Sequence, residues 1–267
     1  MRSAGPNFAS SQESEATKAF YTNENQNTQS TLPQNDAERN YTISSNDEQA
    51  DLQSLKELLN SLPTPPPHGW ERVKFEAFIN DIQTAKRPNG GVGNYTSGVL
   101  SLGGEHIDNT SGYVKLDTPK YVPYEFYEQY KKQDKGIVKK NDILICKDGA
   151  LTGKIALVRD EFENKEAMIN EHIFLIRCDE LSKQKFLFYF LHSFEGQNIL
   201  KAKITGSAQG GLNQENLKSI KIPLPPLKAQ EKIASVIDFI EAKISQLETK
   251  KENLESQKEG ILLKYLG

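Results

Sequence analysis

The sequence is poor in the residues and segments that mark several large classes of protein. It has two cysteines in 267 residues, and no CxxC pair or Cys/His cluster accompanies them. This argues against a disulfide framework and a zinc site, and Cys146, in the apolar run Ile143–Cys146, is expected to be a buried free thiol. No apolar run approaches membrane-spanning length and no hydrophobic signal core opens the chain, so we expect a cytoplasmic protein without a membrane partner.

An excess of positive charge is also missing. The net charge is −3, and it originates in residues 1–62, which carry 4 Lys/Arg against 9 Asp/Glu. Residues 63–222 carry 22 against 20, and residues 223–267 balance at 7 and 7. A middle region near neutrality does not by its composition indicate a DNA binder, so any DNA-binding role requires its basic groups to be sorted onto one face.

Motifs of catalysis and cofactor binding are absent as well. The segment Asp148–Ile155 looks like a phosphate-binding loop, but only three residues separate its glycines and Ile155 follows the lysine. A hairpin turn with Lys147 and Lys154 at a strand rim is favoured instead. The sequence has no Asn/Asp-Pro-Pro-Tyr tetrapeptide, no glycine-rich methyl-donor loop and no metal-ligand spacing of its histidines. We therefore predict neither catalytic residues nor a cofactor in this chain.

The chain divides into four segments by composition. Residues 1–50 are polar and expected to be disordered, and residues 51–69 read as a short amphipathic helix with a proline-rich linker. Residues 70–222 alternate short strand-like runs with turns, which predicts an α+β domain with a curved mixed β-sheet and flanking helices. Residues 223–267 open with a proline strap and continue as a long helix from near Lys228 almost to Leu266.

Individual elements of the middle domain follow from its apolar runs. A helix is predicted at Lys183–Leu191, continuing toward Leu200. The predicted strands are Val99–Leu102, Ile137–Val138, Ile143–Cys146, Lys154–Val158 and Ile173–Arg177.

The long C-terminal helix carries a heptad repeat. Its apolar seam consists of Ile233, Ile237, Ile240, Ile244, Leu247, Leu254 and Ile261. Spacing of alternately four and three is typical of a coiled coil, so the helix is predicted to pair with a partner through this seam. Lys251 and Lys258 interrupt the seam at a positions. Glutamates at e and lysines at g favour a parallel homodimer, in which g faces e of the partner.

Four segments, in this order, resemble the DNA-specificity subunit of type I restriction–modification systems. They are Gly69–Val73, Asp142–Gly149, Gly206–Asn213 and the strap-to-helix junction Ile222–Ile233. The junction departs from the family pattern at Ala229, where the family usually has Glu. The resemblance covers roughly residues 63–267, three-quarters of the chain.

The resemblance implies a half-length subunit with one target-recognition domain and one spacer helix. It implies antiparallel pairing with a second copy or another specificity subunit, against the charge pattern of the seam. The implied partners are double-stranded DNA, a DNA adenine methyltransferase that uses S-adenosylmethionine, and a motor–nuclease subunit that uses ATP and Mg. An adaptor that binds no DNA is the alternative, favoured by the near-neutral charge; a small hydrolase or nuclease with dispersed carboxylates is also open, although no motif supports it.

Candidate DNA contacts lie in polar, glycine-rich loops. Base reading needs bidentate groups, which points to Arg87, Asn89, Asn94 and Gln209, whereas lysines typically contact phosphates. The candidate phosphate contacts are Lys86, Lys147, Lys154 and Lys203. Tyr95, Thr152 and Ser207 complete the predicted DNA-binding set.

Overall fold

The computed structural model describes residues 45–162, 164–206 and 210–266. The prediction of a disordered tail therefore falls mostly outside the described residues. The helices are α1 (Ser45–Asn60), α2 (Tyr124–Lys131), α3 (Leu181–His192), α4 (Phe194–Ala202), α5 (Gln214–Lys218) and α6 (Leu227–Leu266). No helix of the described part is long and apolar enough to cross a bilayer.

The strands of the described residues form three sheets, and the predicted α+β class is confirmed. They are β1 (Arg72–Lys74), β2 (Asp81–Gln83), β3 (Val99–Leu102), β4 (Ile107–Asp108), β5 (Tyr113–Val114), β6 (Tyr121–Val122), β7 (Ile143–Cys146), β8 (Ile155–Leu157), β9 (Ala167–Ile169), β10 (Ile173–Arg177) and β11 (Lys221–Pro223). The large sheet has the order β2-β10-β7-β8-β5-β4, a second has β6-β3-β9, and β1 pairs with β11.

The large sheet separates two apolar clusters, which explains why its central strands are apolar throughout. Along β7, Ile143 and Ile145 join one cluster while Leu144 and Cys146 join the other. Successive side chains of a strand point to opposite faces, so a strand buried on both sides loses the usual polar alternation. One cluster lies against the small three-stranded sheet and α2, and the other against α3, α4 and α5.

The predicted helix toward Leu200 is in fact two helices. Ser193 has an extended ψ of 163°, and its Oγ accepts a hydrogen bond from the N–H of Gly196 at 3.2 Å, which caps α4. A Cβ at Gly196 would lie 2.1 Å from the carbonyl oxygen of Phe190, so only glycine fits this close turn. The apolar periodicity continues across both helices, so it did not indicate the break between them that Ser193 and Gly196 produce.

Other predicted elements differ mainly at their ends. Strands β3, β7 and β10 have the predicted bounds, and β8 is shorter than predicted. Ile137 forms only an isolated bridge with Met168 in place of a strand. Helix α1 begins at Ser45, earlier than predicted, because the apolar periodicity that marked it starts only at Leu52.

The entry and exit of the domain meet in the two-stranded sheet, where Arg72 pairs with Pro223. After β11 the proline strap leads into α6, and the side chain of Gln230 donates to the carbonyl of Pro225 at 2.8 Å. The first turns of α6 then pack on the domain through the buried residues Ala229, Ala234 and Val236. The remainder of the helix projects.

Candidate nucleic-acid interface

The hairpin between β7 and β8 places two predicted phosphate contacts at one rim. The N–H of Cys146 donates to the carbonyl of Lys154 at 2.9 Å, so Lys147 and Lys154 flank the turn, as predicted. Gly149 and Gly153 have φ of +81° and +89°, which glycine adopts readily. Both lysine side chains are half-buried, and the ammonium of Lys147 lies 5.6 Å from the centre of the Phe174 ring.

A second loop, the connection between α4 and α5, packs against this hairpin. The N–H of Leu212 donates to the carbonyl of Lys147 at 2.6 Å, and Asp148 forms an isolated bridge with Gly211. The hydroxyl of Thr152 donates to the carbonyls of Gly149 and Gly210, at 2.6 and 2.9 Å. Thr152 therefore joins the two loops within the free protein.

Three other predicted residues belong to this second loop. Lys203 is half-buried, and its carbonyl accepts a hydrogen bond from Asn216 at 3.1 Å. Ser207 and Gln209 lie outside the described residues.

The loop between β9 and β10 contacts both the hairpin and Arg87. His172 Nδ1 lies 2.5 Å from Asp148 Oδ1, and His172 Nε2 lies 3.5 Å from Glu171 Oε1. Glu171 Oε1 also contacts Nε of Arg87. These four residues form a continuous series of charged or chargeable contacts, here named the rim network. It brings Arg87 to the same edge as the two lysine-bearing loops.

The glycine-rich loop that follows Arg87 presents its polar residues to solvent. Lys86, Asn89 and Asn94 are exposed and Tyr95 is half-buried, while the neighbouring Ala85 and Val92 anchor the loop in the core. The N–H of Gly91 donates to the carbonyl of Pro88 at 2.9 Å, which closes a turn at the tip. The loop thus has fixed ends and exposed donors and acceptors between them.

Sequence reasoning missed the carboxylates of this edge. Asp148 and Glu171 contribute to the rim network, and Glu105 pairs with Lys120 beside a cleft lined by Cys146, Asp148 and His172. Although burial opposes it, the contact with Lys120 lowers the pKa of Glu105. Contacts between residues 84 positions apart, such as Arg87 and Glu171, leave no local pattern in a sequence.

The two cysteines are free thiols, and Cys146 is buried, as predicted. Burial raises the pKa of Cys146 to about 11 and that of Cys178 to about 12. Neither thiol is therefore activated as a nucleophile at neutral pH.

The predicted pairing residues of α6 fall into two groups. Ile233 packs against the apolar cluster that lies against α3, α4 and α5, and Ile237 and Ile240 are half-buried. The others are exposed, by 45% for Ile244, 63% for Leu247, 50% for Leu254 and 59% for Ile261. The C-terminal end adds Leu262, Leu263, Tyr265 and Leu266, which are also exposed and were not predicted.

Charges beside the seam find partners within the chain. Glu241, at an e position, accepts a hydrogen bond from Tyr113 at 3.0 Å. Lys243, at a g position, pairs with Asp51 of α1 at 2.7 Å. Intrachain contacts therefore engage part of the charge pattern that favoured a parallel dimer.

Comparison with known proteins decides the family. The family model described as the type I restriction modification DNA specificity domain matches residues 86–256. The chain belongs to this family. The part matched to the specificity domain includes every predicted DNA contact and the seam of α6 as far as Leu254, but not Ile261.

Curated relatives of this specificity-domain chain are longer than the chain itself. The type I restriction enzyme MjaVIII specificity subunit of Methanocaldococcus jannaschii is 28% identical over 206 residues, which cover 73% of this chain and 45% of that protein. A putative type I restriction enzyme specificity subunit of Haemophilus influenzae is 31% identical over 125 residues, covering 45% of this chain and 29% of the relative. The chain therefore spans about half the length of the curated relatives it matches, or less.

Solved structures include relatives at lower identity. The HsdS subunit from Thermoanaerobacter tengcongensis is 22% identical, with a TM-score of 0.43, and the match covers 76% of this chain and 46% of that one. The type I restriction–modification S subunit from M. genitalium is 17% identical, with a TM-score of 0.45, and the match covers 73% and 43%.

Proposed function

We propose that this chain is a non-catalytic DNA-recognition subunit of a type I restriction–modification complex. The observation that carries the proposal is the convergence of three polar loops at one edge of a domain whose last helix projects an exposed apolar seam. The matched specificity domain spans both features. In this proposal the edge reads DNA and the seam assembles the complex.

Recognition divides between positioning and reading. Lys147 and Lys154, fixed at the ends of one hairpin, contact phosphates and set the register of the domain on the duplex. Arg87 reads a base: the carboxylate of Glu171 holds its Nε, and the Nη1–Nη2 edge of the guanidinium faces guanine O6 and N7. Asn89 and Asn94, exposed on the neighbouring loop, supply amides of the kind that recognise adenine.

Assembly is proposed to proceed through the exposed part of the seam. Two copies, or this chain and another specificity subunit, pair their α6 helices in the antiparallel sense and read a bipartite target. Engagement of Glu241 and Lys243 within the chain weakens the charge argument for parallel pairing, since exposed ion pairs are worth only about 0.2–1 kcal/mol each. A separate methyltransferase with S-adenosylmethionine then modifies adenine, and a motor–nuclease with ATP and Mg cleaves unmodified DNA.

The test is methylation-site mapping in cells that express this chain with and without its methyltransferase partner. The expected result is an adenine mark on a bipartite inverted repeat that disappears when this chain is deleted. An asymmetric bipartite mark would retain the recognition function and replace the second copy with another specificity subunit. Absence of any mark, with an active methyltransferase confirmed, would refute the proposal.

The alternative is a coiled-coil adaptor without DNA binding. It is favoured by the carboxylates of Asp148 and Glu171, which offset cationic charge at the edge. Binding of a duplex at increasing salt separates the two. A DNA reader loses affinity steeply as counterions compete, whereas an adaptor shows no duplex binding at any salt concentration.

A further inference from the structure

Two carboxylates on α6 hold the helix where it leaves the domain. Asp238 Oδ1 accepts a hydrogen bond from the hydroxyl of Tyr189 at 2.5 Å, and Asp238 Oδ2 accepts one from Lys185, also at 2.5 Å. One turn further, Glu241 Oε2 accepts hydrogen bonds from Tyr113 at 3.0 Å and Arg159 at 3.4 Å. These six residues are named the exit clamp.

The partners of the exit clamp come from two separate parts of the domain. Lys185 and Tyr189 lie on α3, whereas Tyr113 belongs to β5 and Arg159 follows β8, with its guanidinium over the Tyr113 ring. All six residues line one cleft, so contacts from two parts of the domain hold the same face of the helix.

The clamp is also partly shielded from water. The side chains of Lys185, Asp238, Arg159 and Glu241 are 25%, 36%, 35% and 32% exposed. Burial, together with the bond to Asp238, raises the pKa of the Tyr189 phenol. Tyr189 therefore remains a hydrogen-bond donor to Asp238 throughout the physiological range.

The clamp lies at the base of the projecting part of α6, so a small change of helix angle there moves the far end of the helix by several ångströms. The helix continues from Ala242 to Leu266, which corresponds to roughly 38 Å at about 1.5 Å per residue. A tilt of about 5° at the domain therefore moves the far end of the helix by about 3 Å, close to the rise of one base pair along B-DNA. A small change of angle at the clamp therefore shifts a domain held at the far end by a distance comparable to one base-pair step.

We propose that Asp238 and Glu241 are positioning residues that fix the spacer length of the bipartite target by fixing the angle of α6 to the recognition domain. The inference rests on the proposed function, in which paired helices separate two DNA-reading domains. In that arrangement the half-sites depend on the reading loops, and the tolerance for spacer length depends on the clamp.

The first experiment measures the angle without DNA. Spin labels on Lys135→Cys in the domain and Ser256→Cys on α6, in a Cys178→Ser background, report their separation by pulsed electron paramagnetic resonance. Labelled protein is diluted with unlabelled protein so that only distances within one copy are seen. Both label sites are exposed and lie outside the seam and the clamp.

The D238N/E241Q double variant is expected to at least double the width of this distance distribution. The matched control, Glu231→Gln, alters an exposed carboxylate of the same helix and is expected to leave the width unchanged. An unbroadened distribution in the double variant would overturn the inference, whatever the protein binds.

The second experiment maps methylated sites for the same variants in the intact complex. The expected result is one spacer length for the original chain and for Glu231→Gln, and two or more spacer lengths with unchanged half-sites for the double variant. A single unchanged spacer in the double variant would refute the inference while leaving DNA recognition intact. Absence of marks from the original chain would refute the proposed function, and the distance measurement would still test the clamp.

Discussion

Helix α6 has two halves that share one heptad pattern and have different surroundings. From Leu227 to Glu241 it packs on the domain through Ala229, Ala234 and Val236, a stripe beside the seam, which leaves Ile237 and Ile240 half-buried. From Ala242 onward the seam residues Leu247 and Leu254 are exposed. The comparison shows that a heptad pattern indicates a helix with a partner but does not tell whether the partner is its own domain or another chain.

The packed region should respond most strongly to loss of a core side chain. Phe188 is 1% exposed in the cluster beneath α3, so Phe188→Ala should lower the free energy of unfolding by about 3–5 kcal/mol. Ile261→Ala, on the projecting half, should change it by less than about 0.5 kcal/mol. Urea unfolding at low protein concentration measures both, and similar losses would show that the projecting half of α6 contributes as much to folding as the core on which the packed half rests.

A buried ion pair gives the next largest effect. Arg177 Nε and Nη2 each lie 2.8 Å from the carboxylate of Asp142, whose side chain is 4% exposed. Arg177→Met should cost about 3 kcal/mol because it leaves a buried carboxylate without its cation. Combining it with Asp142→Asn should recover a large part of that loss in the same urea measurement. No recovery would show that packing of the arginine, rather than charge, dominates.

The projecting half should respond in association rather than in folding. Leu254→Lys places a charge in the seam and should weaken pairing about 30-fold or more, the equivalent of about 2 kcal/mol. Ser256→Lys, on the opposite face of the helix, is the matched control and should leave pairing unchanged. Analytical ultracentrifugation measures the association constants of both variants. Equal association of the two variants would exclude this seam as the pairing surface.

At the proposed DNA-binding edge, substitution of the hairpin lysines should weaken binding to all duplex sequences alike. Lys147→Gln and Lys154→Gln should each lower the slope of log affinity against log salt by about 1. Lys221→Gln, exposed on β11, is the control and should not alter the slope. Titration of a duplex at several salt concentrations provides the slopes, and unchanged slopes would remove these lysines from the interface.

The smallest expected effect concerns the rim network. Glu171→Gln keeps the shape of the side chain but removes the charge that holds Arg87. Discrimination at one base pair of the mapped target should fall by about 1 kcal/mol, while binding to unrelated duplexes increases slightly. Competition binding with single-base variants of the target tests this. Loss of affinity for every sequence alike would instead indicate a folding role.

Sequence reasoning succeeded where the signal is local. The run Ile143–Cys146 predicted a strand and a buried Cys146 thiol, the turn glycines predicted the hairpin between Lys147 and Lys154, and the heptads predicted α6 almost to its last residue. It failed where one residue interrupts a pattern, as Ser193 does between α3 and α4. It could not reach the rim network or the exit clamp, because Asp238 and Tyr189 are 49 positions apart and meet only after the domain has folded.

The pairing of β1 with β11 has a consequence for how such chains diversify. Because Arg72 and Pro223 are neighbours, the whole polypeptide between them enters and leaves the domain at one place. Under the proposed function, genetic exchange with crossovers at these two points would replace the proposed reading loops together and leave the connection to α6 in the same place. The target would then change without any change in the part of the chain that pairs.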